Sequence, residues 1–272
     1  MMCHDASRMC WQFQGRPPMH QLLKFLNYTF LRGHCVLCNT ASGRAFDLCR
    51  VCEDHLPRIG HHCKVCCVSL TSIAAGSGSS INIDTAPALS LCGACLKQTP
   101  AYSQTHIPYT YQPPVDHLLW RFKFSGDLAA GQVLARLLAQ YIGERNIGKV
   151  DMIVPVPLHW RRQLNRGFNQ ARELAVTVGN ILDIPVSSGV VQRTGHTHAQ
   201  QGLNRRQRQS NLSNSFAINA ASTQQLIKDK SIVIIDDVVT TGSTVEAIAK
   251  LLINNGAAQV KICAVARTPL EN

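Results

Sequence analysis

Two sets of residues in this 272-residue chain have the types and spacing to do chemistry. The first is Asp236-Asp237 followed by Val238, Val239, Thr240, Thr241, Gly242, Ser243 and Thr244. Paired carboxylates can take sugar hydroxyls or a metal ion, and a short loop of hydroxyls and backbone N–H groups can cradle a phosphate. The second set is four Cys-x-x-Cys pairs, Cys35/Cys38, Cys49/Cys52, Cys63/Cys66 and Cys92/Cys95. Each such turn brings two thiolates to one tetrahedral ion, and a second turn completes the set, so one or two structural zinc ions are expected. The first two knuckles are expected to share one site and the last two another, with crossed pairing as the alternative. Cys67 adjoins Cys66 and could take its place. His55, His61 and His62 read as surface residues, because the cysteine sets are complete without them.

The elements that must position these groups follow from hydrophobic pattern. Ile232 to Ile235 is an unbroken β-branched run, the mark of a strand buried on both faces, and the acids are expected where it ends. Val245, Ile248, Leu251 and Leu252 fall on one face of a helix that stops at Asn255-Gly256. Acids at a strand's carboxyl end, above a helix amino terminus, suit a sugar phosphate. A Walker B strand would read similarly, but the chain has no Gly-x-x-x-x-Gly-Lys-Ser/Thr loop to accompany it.

Upstream, Tyr109 to Tyr111 reads as a strand, and Pro113-Pro114 opens a helix with Val115, Leu118, Leu119 and Phe122 inward. A second helix spans Leu128 to Ile142, and the aromatics of this region are assigned to the core rather than to base-stacking platforms. Asp151 to Val154 is a strand leading into Pro155-Val156-Pro157 and a basic loop with Arg161, Arg162 and Arg166. Phe168 opens the next helix, Ile184 to Val186 is a short strand, and Val260 to Val265 is a last strand holding Cys263 as a buried thiol. This alternation predicts an α/β fold with a mostly parallel sheet and flanking helices.

Three segments emerge. Residues 1–32 form an extension, with a short amphipathic helix from Met19 to Arg32. Residues 33–100 form a small cysteine-rich, double zinc-ribbon module, too short for much apolar core and therefore dependent on metal. Residues 101–272 form the α/β domain. Ala74 to Ser80 is a Gly/Ser insertion. Between the domain's halves, His196 and His198 read as loop residues. The stretch around Gln200, Gln201, Arg205, Arg206, Arg208 and Asn211 reads as a basic arm or lid.

Lys and Arg total 27 against 16 acids, a formal +11 with pI near 9.3, which favours an anionic partner. Eight thiolates on two Zn²⁺ would lower the charge to about +7. No signal-peptide pattern and no membrane-span-length apolar segment is visible, and four Cys-x-x-Cys pairs indicate metal rather than disulfides. A reducing cytoplasm is the expected location.

The stretch from Ile232 to Thr244 resembles the phosphoribosyl pyrophosphate (PRPP) loop of type I phosphoribosyltransferases. Four knuckles, Val154-Pro-Val-Pro157, Arg166-Gly-Phe-Asn-Gln170 and the arm from Gln200 to Asn211 extend the likeness. Over about residues 33 to 270 the chain resembles the ComF/GntX family, a zinc module on a type I phosphoribosyltransferase-like domain. The resemblance implies that Asp236 and Asp237 contact the ribose hydroxyls, and in a working enzyme support catalysis. It implies that Thr240 to Thr244 bind the 5′-phosphate with Val238 and Val239 also in the substrate site, that Pro157 and Arg166 flank pyrophosphate, and that Mg²⁺ accompanies PRPP. Arg161, Arg162, Arg205, Arg206 and Arg208 would meet single-stranded DNA. Family members are associated with uptake or use of external DNA, several with a competence helicase as partner, and GntX-like members with gluconate uptake. Three readings follow: a DNA-uptake factor that binds PRPP or a related ribose phosphate, a working phosphoribosyltransferase, and a PRPP-sensing scaffold.

Overall fold

In a computed structural model, residues 33–70, 91–158, 164, 166–194, 215–218 and 225–269 are described. The expected helix from Met19, the stretch Ala74 to Ser80, Arg161, Arg162, His196, His198, and the arm with Arg205, Arg206 and Arg208 lie outside the described residues. In chain order the elements are α1 (Arg50–Asp54), α2 (Gly93–Lys97), β1 (Gln104–His106), β2 (Tyr109–Thr110), α3 (Val115–Phe124) and α4 (Leu128–Glu144). There follow β3 (Met152–Pro155), α5 (Gln170–Leu182), β4 (Val191–Arg193), β5 (Phe216–Ile218), β6 (Ser231–Val239), α6 (Ser243–Asn254) and β7 (Gln259–Arg267).

The two long apolar runs pair at the centre of the sheet. Its strand order is β1-β7-β6-β3, with β2 also on β7, and every pairing is parallel. Ile232 and Ile234 share a buried cluster with Val245, Ile248 and Leu252 of α6, while Val233 and Ile235 share another with α3, α4 and α5. Both faces are therefore covered, as the unbroken apolar run requires. Each fully buried Ile contributes roughly 1.5–3 kcal/mol. No helix among the described residues is long and apolar enough to cross a membrane.

β6 runs further than its sequence pattern indicates. It continues through both acids to Val239, with Asp236 opposite Ala264, Val238 opposite Ala266 and Val239 opposite Arg267. The acids thus sit within the hydrogen-bonded ladder, not beyond it, because β7 is itself long enough to pair with them. The helix expected to open at Phe168 begins at Gln170, with Asn169 as its cap: the Asn169 side chain accepts from Arg172 N–H. The strand expected from Ile184 to Val186 is a single parallel bridge between Val186 and Ile153. β4 and β5 form an antiparallel pair apart from the main sheet, closed by Thr194 N–H donating to Ser215 O at 3.0 Å. With β1, they are three residues each, too short to show a period in the sequence.

α3 and α4 pack closely because Gly131 leaves room for a ring. A Cβ there would lie 2.4 Å from Phe122 Cε2. Phe122 is buried as expected, but Trp120 and Phe124 are 52% and 61% exposed, so the assignment of this region's aromatics to the core fails for both. Helical geometry gives the reason: Val115, Leu118, Leu119 and Phe122 already fill the inward stripe, and positions 120 and 124 fall outside it.

Candidate functional site and metal centres

The carboxyl end of β6 brings together much of what the sequence singled out. Successive strand residues face opposite sides, so Asp236 and Asp237 begin on different faces of the sheet. Asp236 joins Val238, Val239, Thr240, Gly242, Ser243 and Thr244 around a small cavity of about 30 Å³. Asp237 turns toward α3, where Lys123 Nζ lies 2.8 Å from its Oδ2. Backbone N–H groups also fix the carboxylates: Asp237 N–H donates to Asp236 Oδ1 at 2.9 Å, and Val238 N–H to Asp237 Oδ1 at 2.7 Å. Burial raises the Asp236 carboxyl above the usual carboxylate range, Asp237's charge adds to that, and the Lys123 ammonium works against it. Lys123 is a site residue that the sequence reading missed. In sequence it is one polar residue in the last turn of a helix, and only tertiary packing aims it at Asp237.

The loop after β6 is braced from below. Gly242 adopts φ +80°, a left-handed conformation that glycine takes without strain, and it caps α6. Thr241 Oγ1 and Ser243 Oγ are 2.8 Å apart. Arg267, only 5% exposed, donates from Nη1 to Thr240 O at 2.5 Å, and Thr268 N–H donates to Val239 O. Glu246 in the first turn of α6 accepts from Ala101 N–H at 3.0 Å. The N–H end of α6 and the hydroxyls therefore sit in a fixed frame, the condition under which a loop holds an anion without ordering it first.

Pro157 and Arg166 lie on the same side of this assembly. Val156 N–H donates to Ile235 O, which sets the Val156-Pro157 end beside Asp236. Asn169 Nδ2 ties Val156 O to the start of α5 at 3.0 Å. Arg166 stacks over Phe124, its guanidinium 4.8 Å from the ring centroid, and donates to Gln170 Oε1 at 3.3 Å. Gln170 is buried, and its Nε2, beside Arg166, has no hydrogen-bond partner among the described residues.

The eight cysteines gather as two sets, Cys35/Cys38/Cys49/Cys52 and Cys63/Cys66/Cys92/Cys95, each with its sulfurs within 4.8 Å of one another. Adjacent knuckles thus share a centre, and the crossed arrangement does not form. A zinc–sulfur bond of ~2.3 Å in a tetrahedron places sulfurs about 3.8 Å apart. Cys38 Sγ lies 3.7 Å from Cys49 Sγ, and Cys66 Sγ lies 3.5 Å from Cys92 Sγ. Both sets fit zinc by donor type and by spacing.

The two centres are also copies of one design. In each, the second residue of a short antiparallel bridge is reached through a left-handed residue directly after the knuckle: Asn39 at φ +59°, Cys67 at φ +55°. Asn39 N–H donates to Cys35 O, and Cys67 N–H to Cys63 O. Cys49 and Cys92 then open the short helices α1 and α2 with nearly the same φ and ψ. Cys67 is therefore the counterpart of Asn39 and not a spare ligand. Its thiol, raised by burial to about 12, stays protonated and donates to Thr105 O at 3.0 Å. His55 and His62 belong to neither set; their Nδ1 atoms pair with Val51 O and Gly60 O.

Comparison with known proteins agrees with this geometry. Residues 127–271 match the phosphoribosyl transferase domain model. Competence protein F of Haemophilus influenzae is 36% identical over 182 residues, covering 65% of this chain and 78% of that protein. DNA utilization protein YhgH of Escherichia coli is 38% identical over 181 residues, with the same two shares. Competence protein ComFC of Streptococcus pneumoniae is 29% identical over 164 residues, covering 58% of this chain and 66% of that protein. A cysteine module carrying two four-sulfur centres, a parallel sheet with an acid pair at the carboxyl end of a central strand and these relatives lead to one assignment: the chain belongs to the ComF family and contains a type I phosphoribosyl transferase domain.

Proposed function

We propose that this chain works in the uptake or use of external DNA, the role that its relatives' names give to those proteins. Its phosphoribosyl transferase domain serves that role by holding PRPP or a related ribose phosphate. One observation carries the reading: adjacent Asp236 and Asp237 in β6, beside a braced hydroxyl loop and the N–H end of α6. The carboxylates accept from ribose hydroxyls, Thr240 to Thr244 and Val238-Val239 enclose the 5′-phosphate, and Arg166, Gln170 and the Pro157 end face pyrophosphate. The oxygen donors of Asp236 and Asp237 suit Mg²⁺, which would neutralise pyrophosphate charge when it arrives with the ligand. Two structural zinc ions fold residues 33–100 as a double zinc-ribbon on the domain of residues 101–272, in a reducing cytoplasm.

Single-stranded DNA is the second ligand. The formal charge of +11, and Arg161, Arg162, Arg205, Arg206 and Arg208, support contacts to backbone phosphates. A competence helicase is the protein partner that fits this role. Calorimetry with PRPP and Mg²⁺ tests the pocket: micromolar binding that Asp236→Asn and Asp237→Asn abolish is expected, and no heat with zinc-replete protein sinks it. Anisotropy with labelled single strands over a salt series tests the DNA half, where a steep salt dependence is expected.

A working phosphoribosyltransferase is the second reading, favoured by the unpaired Gln170 donor beside Arg166 where a departing pyrophosphate needs stabilising. Here Asp236 and Asp237 are catalytic residues, holding the ribose as positive charge develops at its anomeric carbon. With a set of candidate acceptors to take the phosphoribosyl group, pyrophosphate release from PRPP that Asp237→Asn eliminates is the expected result. Binding without turnover leaves the PRPP-sensing scaffold.

A further inference from the structure

The outer face of α3 carries a row that neither the acid pocket nor the metal centres use. His117, Trp120 and Phe124 recur at three- and four-residue spacing and project away from the buried stripe of Val115, Leu118, Leu119 and Phe122. The His117 and Trp120 rings are stacked, 6.5 Å between centroids and 9° from parallel. Trp120 and Phe124 follow at 6.1 Å and 40°. The Arg166 guanidinium sits over the far end of the row, 4.8 Å from the Phe124 centroid. Both Trp120 and Phe124 are more than half exposed. Single exposed apolar residues need no explanation, but an aligned series with a cation at its end marks a binding face.

We propose that this row is a base-stacking face for single-stranded nucleic acid, with Arg166 engaging the strand's backbone at its pocket end. This rests on the DNA reading above and gives it a second, non-electrostatic component. Exposed aromatic rings in a row suit bases, since every base offers a π-face whatever the sequence. The guanidinium and the chain's positive charge complement a phosphate backbone. Duplex DNA keeps its bases stacked on one another, so only unpaired strands gain from the row. It ends at Phe124, next to Lys123, whose ammonium holds Asp237. A strand lying on it therefore approaches the acid pocket end-on.

The test compares labelled oligothymidylate with an abasic oligonucleotide of equal length and charge, at one salt concentration, on zinc-replete full-length protein. Wild type is expected to prefer oligothymidylate. Trp120→Ala and Phe124→Ala should each lose about 5- to 100-fold for it and little for the abasic strand, and Trp120→Phe should recover most of the loss. Both positions are exposed, and zinc content and thermal unfolding confirm that the variants are folded. Equal affinity for the two strands, unchanged in the variants, overturns the stacking face while leaving the electrostatic DNA reading intact. Binding of neither strand overturns both. Variants that alter self-association or vesicle binding, with oligothymidylate affinity unchanged, assign the row to a protein or lipid surface and overturn the proposal.

Discussion

In the first cysteine module, Cys35, Leu48 and Leu56 share the buried cluster of α3 and α4, and Arg121 of α3 donates to Val36 O at 2.6 Å. In the second, Cys63, Val68, Cys92 and Cys95 form a small cluster of their own, joined to the β6–α6 side of the core by Val65, which packs against both, and by the buried Cys67, whose thiol also donates to Thr105 O of β1. The local chemistry is duplicated but its embedding is not. The first centre is continuous with the helix whose Lys123 reaches Asp237 and whose outer face bears the aromatic row. The same ligand set can therefore act as part of the core in one place and as a satellite in another.

Removing one ligand from each centre should separate these roles most. Cys49→Ser is expected to cost about 4 kcal/mol or more and lower the whole unfolding transition, because cavity and metal loss fall in the main core. Cys92→Ser should lose one zinc per chain yet keep slow hydrogen exchange in β6 and β7. Equal loss of exchange protection in both variants would show that the modules are embedded alike.

Arg121→Met comes next. It breaks the bond to Val36 O and the ion pair with Asp127, for about 2 kcal/mol in urea unfolding. It should also weaken PRPP binding a few-fold, since α3 positions Lys123. The same loss of affinity on perturbing the second module would remove the distinction.

The pocket end of α3 gives a pH signature. Asp236 has a raised value in the folded protein, so its stabilising contribution is present below the ordinary aspartate range and is lost as pH rises through the folded value. Wild-type ligand-free protein should lose at most about 1.4 kcal/mol per pH unit from this source. Asp236→Asn should abolish that part of the slope. Lys123→Met should extend the decline to higher pH, because the ammonium opposing the rise is gone. Urea midpoints from weakly acidic to weakly basic pH measure all three proteins, and parallel curves would remove Lys123 from the site.

The smallest effect belongs to the satellite's tether. Cys67→Ala removes the bond to Thr105 O and should cost about 1 kcal/mol, seen as faster exchange around β1 with PRPP affinity unchanged.

The parts legible in the sequence were those with local signatures: the β-branched run into two acids, and knuckle turns whose spacing names the metal. The pairing of adjacent knuckles was also legible. What escaped was set by contacts distant in sequence. Lys123 meets Asp237 from another element, and the ladder through Val239 depends on how far β7 extends. The role of Cys67 follows from backbone handedness in a duplicated turn, which no residue-type pattern carries. Trp120 and Phe124 were assigned inward because aromatics usually pack, although the helix's inward stripe was already full.

The two centres differ in one further respect, the chain length between their halves. Cys38 and Cys49 are 11 positions apart, Cys66 and Cys92 are 26. Closing the longer loop costs about 0.8 kcal/mol more, a roughly fourfold weaker hold on metal if all else is equal. A chelator added in steps would thus empty the satellite first and leave the core centre filled. The molecule would pass through a one-metal form in which α3, the acid pocket and the aromatic row are still in place.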